Sequence, residues 1–466
     1  MIYNYQYRLR PTTEQKLILN DWLRLCRYWY NRQLGERFDW WERNRNYTDR
    51  CPLICHLTQL KDRPGFYEQK KQLPIIKQDL VKIDWSGELL DFSSVPSQTL
   101  QEVCNRVKLA FNRYIVGDKN RKRSGKPRFK NTARFRSMVI EGVKQHSCSV
   151  VGKFLYLTLP KIGLVKIRYH RLIPAGAILK SAQLIKKADG WYINLRLLDN
   201  SIPDFEPSIT PTWENSIGMD AVLHEDDYLA TSEGYKLPSL KSFRNSQNKL
   251  TKVSRKKATL KRGSKARRKL ARREAKIHQR IARARKDHAY NTACTLLKTG
   301  KTVFFFEKLN LQGLSKRNNP KQDADGRYLP NGQSAKSGLN KSWADAAMAQ
   351  FFSILKYKAE KAGAIAIEVN PAHTSQLLSY KDEFVFTDCS MRDYWDEELK
   401  LLIDRDINAG INIKRVGLDV FPTIKRRKGK NLVVKSSTTN STLKQVLPVH
   451  QFWTAQKPTL YSIESV

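Results

Sequence analysis

The sequence lacks the features of exported and membrane-spanning proteins. It contains no run of about 18 apolar residues, so we expect no membrane-spanning segment. The N-terminal stretch MIYNYQYRLR has no apolar signal core, which argues against export. The seven cysteines are scattered and odd in number, which is typical of reduced intracellular thiols and not of a disulfide framework. These absences predict a cytoplasmic protein.

Acidic residues are scarce relative to basic ones. The 466 residues include 44 Asp and Glu against 85 Lys and Arg, which gives a formal net charge of +41. An excess of this size predicts a polyanionic partner, for which nucleic acid is the best candidate, and a salt-dependent affinity. A basic protein of ribosomal type, or one that is merely soluble, is the alternative. The length predicts two or three domains.

Three carboxylates stand on short apolar segments. Asp220 lies within SIGMDAVL, a pattern typical of a buried strand, and Glu307 directly follows the apolar run VFFF. Asp406 lies at the N-terminus of a predicted apolar helix in the segment Leu399–Val416, LKLLIDRDINAGINIKRV. Three such acids can converge in one sheet and hold two divalent cations for phosphodiester hydrolysis. For the acids of the last segment, a helix N-cap is the alternative interpretation.

The order of GMD, FFFEKL and DRDINAGINI resembles the split RuvC-type nuclease domain of the transposon-encoded TnpB family, which is regarded as the ancestor of the compact type V CRISPR effectors. Further matching segments are YQYRLRPTTEQ, SGKPRFK, KKADGWYINLRL and NPAHTSQ. The resemblance implies that Asp220, Glu307 and Asp406 form the catalytic triad and bind two Mg²⁺ ions. It also implies that Asp404 is a non-catalytic acid.

The resemblance further implies a bilobed fold class in which an α/β nuclease domain is combined with separate α and β modules. A β-barrel wedge domain is expected at residues 1–10 and 117–205, where strand signals and the Asp189-Gly190 hairpin turn support it. A helical recognition lobe is expected at residues 11–116. The RNase H-like (RuvC) nuclease domain is expected at residues 213–420, with a degenerate zinc-ribbon-like insert at 371–402. Residues 421–466 form a basic, Ser/Thr-rich tail that we expect to be mostly disordered or loosely docked.

Helices are predicted at four places. One amphipathic helix opens at Thr13, and its Trp22 and Trp29 suit either the core or stacking on bases. A second helix is expected over Ser97–Val116. Close to half of Lys249–Lys286 is Lys or Arg, which predicts two helices along a nucleic-acid duplex or, alternatively, a solvated helical hairpin. Another helix is expected to begin at Trp343.

Two breaks interrupt these helical signals. Gly263-Ser264 separates the two basic helices. Residues 315–341 are rich in Gly, Asn, Lys and Pro, which predicts a flexible loop without a core. By resemblance this loop is a lid beside the active site, and simple disorder is the alternative.

The candidate nucleic-acid contacts are basic residues in three places: the first helix, the loop GDKNRKRSGKPRFK at residues 117–130, and the two basic helices. They are Arg24, Arg27, Lys122, Arg123, Lys126, Arg128, Lys130, Arg255, Lys256, Arg267, Arg268, Arg272 and Arg273.

The cysteine pattern argues against zinc. Cys51, Cys55 and His56 form one cluster without a second cluster to complete a site. In the family, TSQ is followed by the cysteine pairs of a zinc ribbon, whereas LLSYKDEF follows it here and only Cys389 remains. Structural zinc requires four ligands, so we expect no zinc.

Other residues replace the pattern of the zinc ribbon. Arg392 and Asp393 stand near the position of the missing cysteine, and the apolar residues around Leu377–Leu378 and Phe384–Phe386 are expected to form a small core instead. Part of Tyr394–Ile403 is expected to be helical. A second departure is Val222, which stands where the family has a small Gly and is expected to crowd a metal-bound phosphate.

The resulting functional interpretation is an RNA-guided DNA endonuclease. The resemblance implies a guide RNA bound by the wedge and nuclease domains and target double-stranded DNA with a short motif read by the N-terminal half. A monomer, or a dimer on one guide RNA, is expected in a prokaryotic cytoplasm, at the nucleoid when DNA is bound. The main alternative is a guide-dependent DNA-binding protein that cuts weakly or not at all, as in a repressor or an insertion-targeting effector. A strand-transfer recombinase and a plain RNA-binding protein also stay open.

Overall fold

The computed structural model describes residues 2–50, 62–83, 86–141, 143, 148–200, 208–224, 226–388, 390–426 and 432–435. The chain divides into two compact units, residues 1–204 and 205–466. No helix within the described ranges is long and apolar enough to cross a membrane. The predictions for Cys51, Cys55, His56, Cys389 and the tail beyond residue 435 concern residues outside these ranges.

The first unit combines a large antiparallel sheet with a small group of helices. Its strands are β1 (Ile2–Arg10), β2 (Val81–Lys82), β3 (Leu89–Leu90), β4 (Ser137–Glu141), β5 (Cys148–Val151), β6 (Phe154–Leu159), β7 (Gly163–Arg168), β8 (Ile178–Lys187) and β9 (Gly190–Leu198). Its helices are α1 (Thr13–Arg50), α2 (Phe66–Lys71), α3 (Leu73–Gln78) and α4 (Ser97–Ile115), with a short 3₁₀ turn at Phe92–Ser94.

The sheet of the first unit is open, so the prediction of a closed β-barrel is wrong. The strand order is β4-β8-β9-β1-β7-β6-β5, and among the described residues no ladder joins the edge strands β4 and β5. A helix instead of a strand covers the β4 edge: Arg106 of α4 donates a hydrogen bond to the carbonyl oxygen of Ser137 in β4 (3.0 Å). This contact satisfies a backbone acceptor of an edge strand.

The core of the first unit confirms the prediction of a helix opening at Thr13 and settles the role of its tryptophans. Trp22 and Trp29 of α1 are 1 % and 0 % exposed, so they pack in the core and are not available for stacking on bases. The predicted second helix is confirmed as α4. The predicted Asp189-Gly190 turn joins β8 to β9, and Gly190 has a positive φ of 143° that favours glycine.

The second unit contains a mixed sheet, several helices and short hairpins. Its strands are β10 (Ser216–Ala221), β11 (Asp227–Thr231), β12 (Lys236–Pro238), β13 (Val303–Glu307), β14 (Lys321–Gln322), β15 (Tyr328–Leu329), β16 (Ile365–Val369), β17 (Asp393–Asp396), β18 (Leu401–Asp404), β19 (Ile424–Arg426) and β20 (Leu432–Val434). Its helices are α5 (Ser242–Ala258), α6 (Lys265–Leu297), α7 (Leu311–Leu314), α8 (Gln333–Ala346), α9 (Met348–Lys361) and α10 (Arg405–Gly417).

The central sheet of the second unit has five strands in the order β12-β11-β10-β13-β16. β10 pairs with β13 and β13 with β16 in parallel, whereas β11 and β12 are antiparallel. Helices α6 and α9 pack on one face through a cluster that includes Phe351, Phe352 and Leu355. Ile413 of α10 packs on the opposite face with Phe305 of β13. This three-layer α/β arrangement fits the expected nuclease domain class.

The two predicted basic helices are confirmed as α5 and α6. The break between them lies at Gly263, which has a positive φ of 86°, and at Ser264. The Ser264 hydroxyl caps α6 by accepting a hydrogen bond from the Arg267 backbone N–H (3.2 Å). α5 and α6 therefore form a helical hairpin.

Three predictions of secondary structure in the second unit are wrong. Residues 315–341 are not a structureless loop, because they contain the β14–β15 hairpin, and α8 begins at Gln333, well before Trp343. Tyr394–Ile403 is not helical, because β17 and β18 pair there as a hairpin. The Asp396 carboxylate accepts hydrogen bonds from the backbone N–H groups of Glu398 and Leu399 (2.9 Å each), a local turn that competes with helix formation.

Candidate active site

Strand alternation directs two acids to the same face of the central sheet. In β10, Ile217 and Met219 pack toward α6 and α9, so Gly218 and Asp220 face α10. β10 and β13 run in parallel with Met219 opposite Phe306. The residues that follow this pair, Asp220 and Glu307, are therefore neighbours.

A hydrogen bond fixes the second of these acids. The backbone N–H of Ala221 donates to Oε1 of Glu307 (3.0 Å), which ties the end of β13 to the end of β10. Phe304 and Phe306 pack toward α9, whereas Val303 and Phe305 pack toward α10, so the alternation places Glu307 on the α10 side.

Helix α10 brings the third acid to this face. It lies close to β10 because both elements have a glycine where they cross. A Cβ on Gly218 would stand 2.1 Å from the carbonyl oxygen of Gly410. Asp406 occupies the first turn of α10 and is buried. Asp404 is the N-cap, and its carboxylate accepts from the backbone N–H groups of Asp406 (2.8 Å) and Ile407 (3.0 Å). The N-cap interpretation therefore applies to Asp404, and the Asp406 carboxylate is not used for capping the helix.

The charges of Glu307 and Asp406 lie close enough to Asp220 to raise the pKa of its carboxyl group. Burial, followed by the charges of Glu307 and Asp406, raises the pKa of Asp220 well above its usual value. Asp220 lies at the partly exposed end of β10, and solvent access there moderates this shift without reversing its direction. Burial raises the pKa of Glu307 to about 7, and the hydrogen bond from Ala221 opposes the change. Carboxylates that are costly to ionise together favour a divalent cation between them.

Two basic side chains contact Asp406, and the sequence did not identify either as part of the site. Nζ of Lys236 lies 2.6 Å from Asp404, 3.3 Å from Asp227 and 3.5 Å from Asp406. Nη1 of Arg392 lies 3.3 Å from Oδ1 of Asp406. Within the described ranges, no three His, Cys, Asp or Glu side chains are arranged to hold a metal ion. Lys236 and Arg392 both pair with Asp406, the third acid of the set.

Replacing Glu307 with Gln is expected to stabilise the metal-free protein. Between the ordinary pKa of 4.5 and the folded-state pKa of about 7, the folded protein binds a proton that the unfolded chain has released. Stability therefore falls as pH rises through this window, and Glu307→Gln removes the loss, which is about 1–3 kcal/mol at pH 7.5. Urea unfolding in EDTA measures this difference.

The control for this prediction is Glu360→Gln, which changes an exposed acid near the end of α9. It is expected to leave the free energy of unfolding unchanged. Mg²⁺ is expected to raise the melting temperature of the wild type more than that of Glu307→Gln. A Glu307→Gln variant less stable than the wild type at pH 7.5 would contradict the assigned burial of this charge.

The side chain of Val222 packs into an apolar core, which does not support the prediction that it crowds a metal-bound phosphate. It is 3 % exposed and packs in an apolar cluster with Ile407 and Ile411 of α10. The same cluster contains Leu378 and Phe386 of the 371–402 insert, which confirms that apolar residues form a small core there.

The structure leaves most of the predicted nucleic-acid contacts on the surface. The exposed residues are Lys122, Arg123, Lys126, Arg128, Arg255, Lys256, Arg268, Arg272 and Arg273. The 117–130 loop is fixed to α1 because the Asn31 side chain accepts from the Lys130 N–H (2.8 Å) and donates to its carbonyl oxygen (3.0 Å). A basic surface with a fixed position suits contact with a phosphate backbone.

The side chains of four predicted contacts form hydrogen bonds or ion pairs within the described part of the chain. The exposed Lys126 pairs with Glu42 (3.0 Å). Arg24 pairs with Asp21 (2.6 Å) and with Glu88. Arg27 donates to the hydroxyl of Thr132 (2.9 Å). Arg267 donates to the carbonyl oxygens of Lys257 (2.8 Å) and Leu260 (2.9 Å) at the end of α5. These contacts give each of these basic residues a structural role that does not require a nucleic acid.

A basic pocket in the first unit was not predicted. It has a volume of about 650 Å³ and lies where β1 leads into α1. Its basic lining residues are Arg8, Arg10, Lys16, Arg168 and Lys186. They come from strands β1, β7 and β8 and from helix α1, which are far apart in the sequence, so no local pattern could have grouped them.

Removing charge from α6 is expected to weaken nucleic-acid binding. Arg268 and Arg272 are exposed and lie one turn apart on the same face. The double change Arg268→Gln/Arg272→Gln is expected to lower the slope of log affinity against log salt by about two and to weaken binding roughly tenfold. The control removes two exposed lysines outside this face, Lys153→Gln and Lys298→Gln. Equal losses in both variants would show that only net charge matters.

Comparison with known protein families gives three matches along the chain. Residues 1–46 match the model described as "Helix-turn-helix domain", residues 206–318 match "Probable transposase" and residues 349–413 match "Cas12f1-like, TNB domain". The last two matches contain Asp220, Glu307 and Asp406.

Two curated proteins are similar over most of the chain. The protein "Putative RNA-guided DNA endonuclease InsQ" of Escherichia coli (strain K12) is 24% identical over 81% of this chain and 82% of its own. The "Putative RNA-guided DNA endonuclease" of Streptomyces pristinaespiralis is 24% identical over 89% of each chain. A solved Cas12f1-sgRNA-target DNA complex aligns with 86% of this chain and 83% of its own, at 12% identity and a TM-score of 0.49.

These matches span the N-terminal, central and C-terminal parts of the chain. The family-model matches include the segments YQYRLRPTTEQ, GMD, FFFEKL, NPAHTSQ and DRDINAGINI. The chain is therefore similar to the transposon-encoded TnpB proteins and to the type V CRISPR effectors.

Proposed function

We propose that this protein is an RNA-guided DNA endonuclease whose active site is formed by Asp220, Glu307 and Asp406. The observation that supports it most is the convergence of the two strand acids and the α10 acid on one face of the sheet, with raised pKa values at Asp220 and Glu307. The names of the two curated relatives agree with this activity.

Each residue of the proposed active site has its own role. Asp220 and Glu307 supply buried carboxylates, and the Ala221 N–H orients the second of them. Mg²⁺ ions held by the three acids would activate a water molecule and stabilise the leaving oxygen of the phosphodiester. Lys236 fixes Asp404, the cap of the helix that carries Asp406. Arg392 places a guanidinium beside Asp406, where it can contact a substrate phosphate.

The partners of the proposed enzyme are a guide RNA and target double-stranded DNA. Base pairing with the guide would select the target, and the N-terminal half would read a short adjacent motif. The exposed arginines of α5 and α6 and the basic pocket of the first unit offer phosphate contacts for these strands. This proposal also assigns a recognition role to residues 11–116, a wedge role to residues 1–10 and 117–205, and a nuclease role to residues 213–420.

The second candidate is a guide-dependent DNA-binding protein that cuts weakly or not at all. The contacts of Lys236 and Arg392 with Asp406 favour it, because these cations already neutralise the third acid. The two candidates predict the same partners and differ in the fate of the bound DNA.

Two measurements test the proposal. The first is sequencing of RNA that co-purifies with the expressed protein, which is expected to yield one discrete species; the absence of RNA would favour a recombinase that uses no guide. The second is incubation of the guide-loaded protein with a matched plasmid in Mg²⁺. Cleavage that EDTA prevents supports the endonuclease, whereas saturated binding of uncut DNA supports the second candidate.

A further inference from the structure

The face of α10 that turns away from the central sheet is polar although it is buried. Asn408, Asn412 and Arg415 are each 0 % exposed and are spaced by four and three residues, so they form one stripe along the helix. Buried polar side chains are costly unless they are hydrogen-bonded. All three are hydrogen-bonded in this structure, and the stripe's main-chain partners lie in the 371–402 insert.

The two asparagines bind the backbone of the insert directly. Asn408 accepts from the Ser379 N–H (2.8 Å) and donates to the Leu377 carbonyl oxygen (2.7 Å). Asn412 donates to the carbonyl oxygens of Thr374 (2.9 Å) and Leu377 (2.7 Å). A side chain that satisfies backbone groups at fixed positions sets the register of the segment it binds.

An ion pair extends this stripe by one helical turn. Nη2 of Arg415 lies 2.7 Å from Oδ1 of Asp382, and both side chains are almost fully buried. Nη1 of Arg415 also donates to Oδ1 of Asn412 (3.1 Å), so the pair is connected to the asparagines. Breaking a buried pair leaves an uncompensated charge, which makes such a pair a strict determinant of local geometry.

The other end of the insert is anchored to its own hairpin. The Tyr380 hydroxyl donates to Oδ2 of Asp396 (2.6 Å), and Nζ of Lys381 lies 2.9 Å from the same atom. Asp396 ends β17, the strand that begins directly after Arg392. The fixed segment 374–382 is therefore connected to Arg392 through one short strand.

Arg392 is held at the start of α10 by two contacts. Its carbonyl oxygen accepts from the Arg405 N–H (2.8 Å), and its guanidinium pairs with Asp406 (3.3 Å). The insert contains no cysteine other than Cys389, so four cysteine ligands cannot fix it. Hydrogen bonds and ion pairs from α10 and the hairpin do so instead.

We propose that Asn408, Asn412 and the Arg415–Asp382 pair are positioning residues that hold the insert so that Arg392 meets Asp406. They act on cleavage through Arg392 and touch neither the acids nor the substrate. The inference rests on the proposed nuclease function for its kinetic test, whereas its structural part is independent of that function.

A double-mutant cycle between Asn412→Ala and Arg392→Ala tests this role in the guide-loaded protein. Asn412→Ala is expected to lower kcat for cleavage roughly 10- to 100-fold with an unchanged KM. The double variant is expected to be no slower than Arg392→Ala alone, because both changes remove the same contribution. Asn291→Ala, which alters an exposed asparagine of α6, is the control and is expected to cut at the wild-type rate. Losses that multiply in the double variant would overturn the proposal.

Hydrogen exchange tests the structural part without any cleavage. In Asn412→Ala the amides of Ser379 and Arg405 are expected to exchange faster, since Arg405 reports the position of Arg392. Unchanged exchange at Arg405 would overturn the proposal even if cleavage falls. If the wild type does not cut, the nuclease function fails while this measurement still decides the positioning role. Tyr380→Phe, which removes one hydroxyl, gives the same tests should Asn412→Ala fail to fold, with a smaller loss of kcat expected.

Discussion

Replacing Asp406 with Asn is expected to abolish DNA cleavage while guide RNA binding stays near the wild-type level. The change keeps the shape of the side chain but removes the charge that a divalent cation requires. The metal-dependent step loses several kcal/mol of stabilisation, which corresponds to a fall of roughly 10³-fold or more in the cleavage rate. The rate is measured on matched plasmid in Mg²⁺ with saturating protein, and guide binding is measured by filter retention.

The control for this prediction is Asp287→Asn, which neutralises an exposed acid of α6. Its cleavage rate is expected to match that of the wild type. Loss of both cleavage and guide binding in Asp406→Asn would count against a catalytic role, because it would indicate a general failure of the fold. A variant that still cuts would exclude Asp406 from the active site.

The second large effect is expected at Gly218, where replacement with Ala should destabilise the second unit by about 3 kcal/mol or more. An added Cβ would stand 2.1 Å from the Gly410 carbonyl oxygen and 2.5 Å from the Lys414 backbone nitrogen. Both obstacles are backbone atoms of α10, which cannot move aside as a flexible side chain can. The helix that carries Asp406 would have to shift away from β10.

Urea unfolding followed by circular dichroism measures this effect, and Gly338→Ala is the matched control. Gly338 lies in α8 of the same unit, and a Cβ there would meet no atom within 4 Å. Because alanine favours a helix interior, the control is expected to be neutral or stabilising by up to about 1 kcal/mol. Equal stabilities of the two variants would contradict the close approach of α10 to β10.

The elements that position the acids could be predicted from the sequence because their signals are local. Short apolar runs gave the strands of Asp220 and Glu307, and the apolar stripe after Asp406 gave α10. The same local reasoning misread Tyr394–Ile403 as a helix, since the turn made by the Asp396 side chain outweighs the helical pattern. Register and alternation then explain why the two strand acids lie side by side.

The contacts of Lys236 and Arg392 could not be predicted, because they depend on long-range packing. Lys236 reaches Asp404 only through the order β12-β11-β10 and the position of α10. The open sheet of the first unit was missed for a similar reason: strand signals do not reveal whether the two edge strands pair. The buried polar stripe of α10 was not predicted either, because its partners lie in the insert and are brought to it by the fold.

The most direct test of the central claim replaces Mg²⁺ with Fe²⁺ and uses ascorbate and peroxide to generate hydroxyl radicals at the bound metal. Backbone cuts mapped by mass spectrometry are predicted to cluster at three places, near Asp220, Glu307 and Asp406, and to disappear in excess Mg²⁺. Cuts at only one of these positions, or elsewhere in the chain, would contradict the convergence of the three acids on a shared metal site.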